Sequence, residues 1–191
     1  MNRTILIVTL VLLPAGLACS KKQSTPTEPA ATTPAAAVVC VGGSRYIGSI
    51  RVPGYWQDGV RHDLPYTGYT GADVYGIAVS GGTVSCAGSL YISDDYACSW
   101  LNGAMQVLPC GTHASEAYGM TVSGGTLYSG GFYYTTTGTV PCYWAGTARH
   151  DLSADSTVSA QVNGIAVSGG TVYCAGSYNS SGTAWAPCYW A

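Results

Sequence analysis

The phrase GIAVSGGTV begins at Gly76, recurs as GMTVSGGTL at Gly119 and returns unchanged at Gly164. Copies spaced by about 44 residues constrain this chain more than any other feature. A unit of that size cannot bury its own hydrophobic face, so it must stack against further copies of itself. The tryptophans keep the same beat. Trp56, Trp100, Trp144 and Trp190 close the motifs PGYW, ACSW, PCYW and PCYW, while Trp185 falls outside the register. Leu64, Leu108 and Leu152 follow the first three at a constant interval.

One unit reads as four strands: Tyr75 to Ser80, Thr83 to Ser89, Tyr96 to Leu101 and Ala104 to Leu108. A Gly-Gly pair joins the first two, and Asn-Gly (Asp-Gly after Trp56) joins the last two. These dipeptides favour two-residue hairpins because both central positions take positive φ. Four antiparallel strands at this period predict an all-β fold: a β-propeller-like array of four-stranded antiparallel blades, about three and a half of them over residues 38–191. Strand alternation puts the short Gly-Gly and Asn-Gly turns at one end. The longer, variable loops lie at the other end, called face one below.

These motifs resemble bacterial β-propeller repeats of the form VYVAG…CYWxNG…GIAVSG, and the resemblance spans Val38 to Ala191. It implies a propeller carried by an exported or lipid-anchored protein, with no assigned activity. The array is expected to be incomplete. It opens on a second-type strand at Val38 to Gly43, Pro34 interrupts the place of a first strand, and Trp190 precedes the place of a fourth. Further units are expected beyond Ala191.

The N-terminus carries Arg3, a short apolar run from Ile5 to Leu13 and small residues ending in Cys19. This is the pattern of an export signal, too short to span a bilayer. The GLAC ending resembles the bacterial lipobox, with Gly16 in place of its usual larger apolar residue. The resemblance implies a signal peptide over 1–18 and lipid on Cys19. Residues 19–37, rich in Pro, Thr and Ala, read as an extended tether to the cell envelope.

Only 8 % of residues are charged. From Val38 onward Arg45, Arg51, Arg61 and Arg149 face eight acids, and no basic patch exists to hold phosphates, so nucleic acid is not an expected partner. Variable loops on a constant scaffold are where binding concentrates. The face-one candidates are Tyr66, Tyr69, Tyr91, Asp94, Asp95, Tyr133, Tyr134, Tyr178 and Trp185, aromatic and acidic groups suited to a protein or glycan partner. The expected function is a lipid-anchored binding or scaffold module. The alternatives are a glycan-acting enzyme using acids such as Glu116 near the axis, and a purely structural envelope protein. Arg61-His62-Asp63-Leu64 and Arg149-His150-Asp151-Leu152 read as polar cover on an edge strand rather than as a triad. No metal set or cofactor motif is present in the sequence. Cys86 with Cys98 and Cys174 with Cys188 fall on neighbouring strands. Disulfides and buried free thiols are both open readings there, since export permits oxidation.

Lipidation has a direct test. Cys19→Ala is expected to move the protein from the membrane fraction to the soluble fraction. An unmodified mature N-terminus at another residue would refute the anchor.

Overall fold

The computed structural model describes residues 38–191 apart from 112, 154–157 and 181–183; Cys19, the signal segment and the tether lie outside the described residues. The described residues contain no helix and form four antiparallel sheets. The first sheet holds β1 (Cys40–Ile47), β2 (Ile50–Gln57) and β3 (Val60–Asp63). The second holds β4 (Gly71–Ser80), β5 (Thr83–Tyr91), β6 (Asp95–Leu101) and β7 (Ala104–Val107). The third holds β8 (Ser115–Ser123), β9 (Thr126–Tyr134), β10 (Thr139–Ala145) and β11 (Ala148–Asp151), and the fourth β12 (Ser159–Ser168), β13 (Thr171–Asn179) and β14 (Ala186–Trp190). Within each sheet the strands pair in chain order. Sheets pack in sequence, each laying its innermost strand against the sheet before it. The fold is thus an all-β, propeller-like array of blades.

The predicted turns form for the predicted reason. Asp58 and Asn102 take φ of 50°, and Gly59 and Gly103 follow at 84° and 77°. Positive φ at both central positions suits the right-handed twist of the flanking strands. The strand boundaries of this unit differ from the sequence expectation by one or two residues, and by more at one place. The innermost strand β4 starts at Gly71 rather than near Tyr75, so Asp73 lies in a strand and not in a loop.

The buried tryptophans tie one sheet to the next. Trp100 and Trp144 are fully buried. Their Nε1–H groups donate to the Pro65 and Pro109 carbonyls of the preceding unit, at 2.8 and 2.9 Å. Those carbonyls directly follow Leu64 and Leu108, which are buried at the same junctions. The constant Trp and Leu spacing is the two halves of this clip.

Proline in a third strand is explained by the shortness of the fourth. Pro53 and Pro141 lie just beyond the last pairs that β3 and β11 make, Gly54 with Asp63 and Cys142 with Asp151. There each accepts one bond on its carbonyl, from Leu64 N and Leu152 N. In the second sheet the equivalent residue is Ala97, which has an N–H to satisfy. It donates to Ser115 Oγ of the third sheet at 2.9 Å. Where proline removes the donor, the residue at Ser115's place is alanine: Ala72 beside Pro53 and Ala160 beside Pro141. At this position of the repeat a buried hydroxyl appears only where a buried N–H faces it.

Side-chain size is matched in the same manner. A Cβ on Gly42 would lie 2.8 Å from Val74 Cγ1, and one on Gly130 would lie 2.6 Å from Val162 Cγ1. At the junction between them both residues are alanine, Ala87 and Ala117, each with 0 % exposure. Glycine meets valine and alanine meets alanine. The fourth sheet exposes the equivalent face, with Ala175 and Pro187 open to solvent.

This matching predicts a thermodynamic coupling. Gly130→Ala should cost about 1–3 kcal/mol by overpacking against Val162. Adding Val162→Ala recreates the Ala87/Ala117 pair and should recover part of that loss in a urea-unfolding double-mutant cycle. Strict additivity would show that the two residues do not share one space.

Candidate functional site

The innermost strands share a defect that aims side chains at the axis. Val74 pairs with Gly88 and Gly76 with Ala87, leaving Tyr75 as an extra residue in β4. The same bulge leaves Tyr118 extra in β8 and Asn163 in β12. A bulge bends its strand and redirects the unpaired residue. Gly88, Gly131 and Gly176 make room for it, because a Cβ on any of them would collide with a carbonyl oxygen on the bulged strand: Asp73, Glu116 or Gln161. Tyr75, Tyr118 and Asn163 line an open groove of about 420 Å³ along the three innermost strands, with Gln161, Met120 and Ile77 among the other walls. The two tyrosine rings lie 5.1 Å apart at 56°. Gln161 Nε2 donates to Asn163 Oδ1 at 2.9 Å.

At the face-one end the rings lead into an acidic cluster. Tyr118 Oη donates to Glu116 Oε2 at 2.9 Å. Ser89 Oγ donates to Asp95 Oδ1 at 3.1 Å and lies 3.4 Å from Tyr75 Oη. Arg51 forms an ion pair with Asp73, and its guanidinium also sits 5.5 Å from the centroid of the Tyr91 ring. Burial pushes the Glu116 carboxyl above its ordinary value; the bond from Tyr118 opposes this, and Asp95 and Asp73 add to it. Burial first, and the Glu116 charge second, hold the Tyr118 phenol well above the usual tyrosine range. Tyr75 is raised chiefly by burial.

The predicted loop residues separate into groups. Asp95 belongs to the cluster, and Tyr91 and Tyr134 stand exposed at its margin. Glu116 and Asp95 both raise Tyr134, after burial. Asp94 is exposed beside Ser93, outside these bonds. Tyr66 and Tyr69 are half-buried and cover the core around Leu64 and Trp100. Tyr133 is held by its own sheet, donating to Asp151 at 3.2 Å with Arg149 stacked 4.2 Å from its centroid. Tyr178 lines a second hollow of about 290 Å³ with Cys188 and Trp190, and Trp185 is exposed. Arg51, Tyr75, Tyr118, Gln161 and Asn163 were not singled out from sequence. The signal available there is that Tyr75, Tyr118 and Asn163 precede the repeated phrase at the place where the copies differ.

The two RHDL segments lie on the edge strands β3 and β11. His62 stacks on Tyr55 at 4.8 Å, and His150 on Tyr143 at 4.7 Å. Arg61 and Arg149 pair with Asp63 and Asp151 at 2.6 and 2.9 Å. Both copies form one cross-strand unit, with the imidazole engaged by a ring instead of by a nucleophile. The seven cysteines from Cys40 to Cys188 are free thiols. The disulfide reading of Cys86–Cys98 and Cys174–Cys188 is not realised in this structure. Cys86 stands opposite Trp100 and Cys98 opposite Gly88, so the two sulfurs are diagonal; Cys174 and Cys188 repeat that offset. Burial pushes the Cys86 thiol to about 12 and Cys174 to about 11, so neither offers a thiolate near neutral pH.

No family model and no curated protein matches the chain.

Glu116 gives the cluster a pH signature. Its folded pKa lies above the ordinary 4.5. The stability it contributes is complete below that value and is lost as pH rises through the raised folded pKa. Glu116→Gln, which keeps an acceptor for Tyr118, should remove this loss. In thermal unfolding the variant should gain on wild type as pH rises from about 4 to 7. A constant difference across that range would place the raised pKa elsewhere.

Proposed function

We propose that this chain is a lipid-anchored binding or scaffold module of a bacterial cell envelope. It engages its partner at face one of the propeller-like array. The observation that carries this reading is the contrast between the two ends of the sheets. One end is closed by near-uniform two-residue turns. The other gathers Arg51, Asp73, Asp95 and Glu116 with four tyrosines on the strands, beside connecting loops that differ from unit to unit. Uniform turns serve the fold, whereas variable loops on a repeated frame are free to serve recognition. The lipobox-like GLAC segment and the tether-like composition after it support an envelope location. Each carboxylate of the cluster already has a partner within the chain, which favours holding a ligand over attacking one.

The test combines a glycan array with affinity capture from an envelope extract. Tyr91→Ala together with Tyr134→Ala alters exposed face-one rings, and Leu101→Ala alters an exposed residue beside the opposite turn. Binding of a defined partner should fall at least about tenfold for the first pair and stay unchanged for Leu101→Ala. Equal effects from both ends, or no partner in either assay, would favour a purely structural envelope protein.

A further inference from the structure

We infer that the axial groove seats an uncharged saccharide, an assignment that rests on the binding reading above and narrows it to one site and one ligand class. At about 420 Å³ the groove falls in the size range of small-ligand sites, roughly 300–1,000 Å³. Tyr75 and Tyr118, set 5.1 Å apart at 56°, make an angled aromatic wall. Such a wall suits the C–H face of a sugar ring, which is apolar on its flat side and polar at its rim. The Gln161 and Asn163 amides stand on the β12 side. Each amide carries donors and acceptors beyond the single bond between them, the complement of neighbouring hydroxyl groups. At the mouth, Glu116 and Asp95 accept from Tyr118 and Ser89. A carboxylate has about four acceptor positions, so both retain room for hydroxyl donors.

Charge selects among ligands of this shape. Among the described residues, none lining the groove is ionisable except through the two phenols, and burial holds both of those in the neutral form. An anionic sugar would meet Asp73, Asp95 and Glu116, and the Arg51 guanidinium beside them is already paired. A cationic ligand at the acidic end would compete with Arg51, which already pairs with Asp73 and lies over Tyr91. The uncharged amides of Gln161 and Asn163 opposite the rings favour a neutral polyhydroxylated ring.

The experiment is calorimetric titration of the full chain. The probes are neutral hexose and N-acetylhexosamine oligosaccharides, uronic-acid oligosaccharides and choline, each up to about 10 mM. A neutral oligosaccharide should bind, and Asn163→Ala and Tyr118→Ala should each weaken it about tenfold. Asn163 is exposed, so its variant tests the groove without disturbing the core; circular dichroism checks that Tyr118→Ala is folded. Absence of neutral-sugar binding, a preference for the acidic sugar or for choline, or neutral-sugar binding that survives Asn163→Ala would overturn the assignment. Binding that survives Asn163→Ala but is lost with Tyr91→Ala would leave the face-one reading standing and move the ligand to the loops. Loss of every face-one ligand would remove both.

Discussion

The indole clip between successive sheets is the contact on which the rest of this structure depends. A single sheet has two flat faces and cannot dry either of them alone. Trp100 and Trp144 solve this by burying a large ring at the sheet junction while handing their one polar atom to a carbonyl of the preceding unit. That carbonyl is presented by the chain just after Leu64 or Leu108, so the same short segment supplies apolar cover and hydrogen-bond acceptor. With this contact made, the innermost strands are brought close enough for glycine to be required at Gly76 and Gly119. The axial groove is a consequence of that closeness.

Much of this was legible in the sequence because the decisive signals are local. Two-residue turns announce themselves through residues that tolerate positive φ, as at Asp58-Gly59 and Asn102-Gly103. The Trp and Leu positions are fixed by a repeat that any single unit displays. What the sequence hid is non-local. The bulges at Tyr75, Tyr118 and Asn163 are defined only by register against β5, β9 and β13, so one extra residue per strand left no mark beyond a variable position. Because of them the innermost strands run further towards face one than expected, and Asp73, read as loop, proved to be the partner of Arg51.

The tyrosines show the same division. Tyr residues in loops look alike on paper, yet their roles follow from what lies beneath them. Tyr66 and Tyr69 sit over an apolar core that needs cover, and they supply it. Tyr133 is pinned by Asp151 and Arg149. Tyr75 and Tyr118 face the axis, where the Tyr118 hydroxyl ends on the half-buried Glu116 and that of Tyr75 beside Ser89. Cysteine behaves similarly: Cys86, Cys98 and Cys174 fill small sites next to the tryptophans, and their raised thiol pKa values reflect dryness, not reactivity.

The pairing of small and polar residues across junctions has an evolutionary corollary. Units of near-identical length look interchangeable, as if duplication or deletion of one would simply lengthen or shorten the array. They are not. Moving the second unit to sit before the fourth would set Ala97's N–H against Ala160, with no hydroxyl to receive it. Duplicating the third unit in tandem would place Pro141 of one copy beside Ser115 of the next and strand a buried hydroxyl. Each junction thus carries a local address, written in one or two side chains, that penalises shuffled orders while leaving the common frame untouched. Drift in such an array proceeds by coordinated pairs, and a recombination event would have to carry both halves of a junction together.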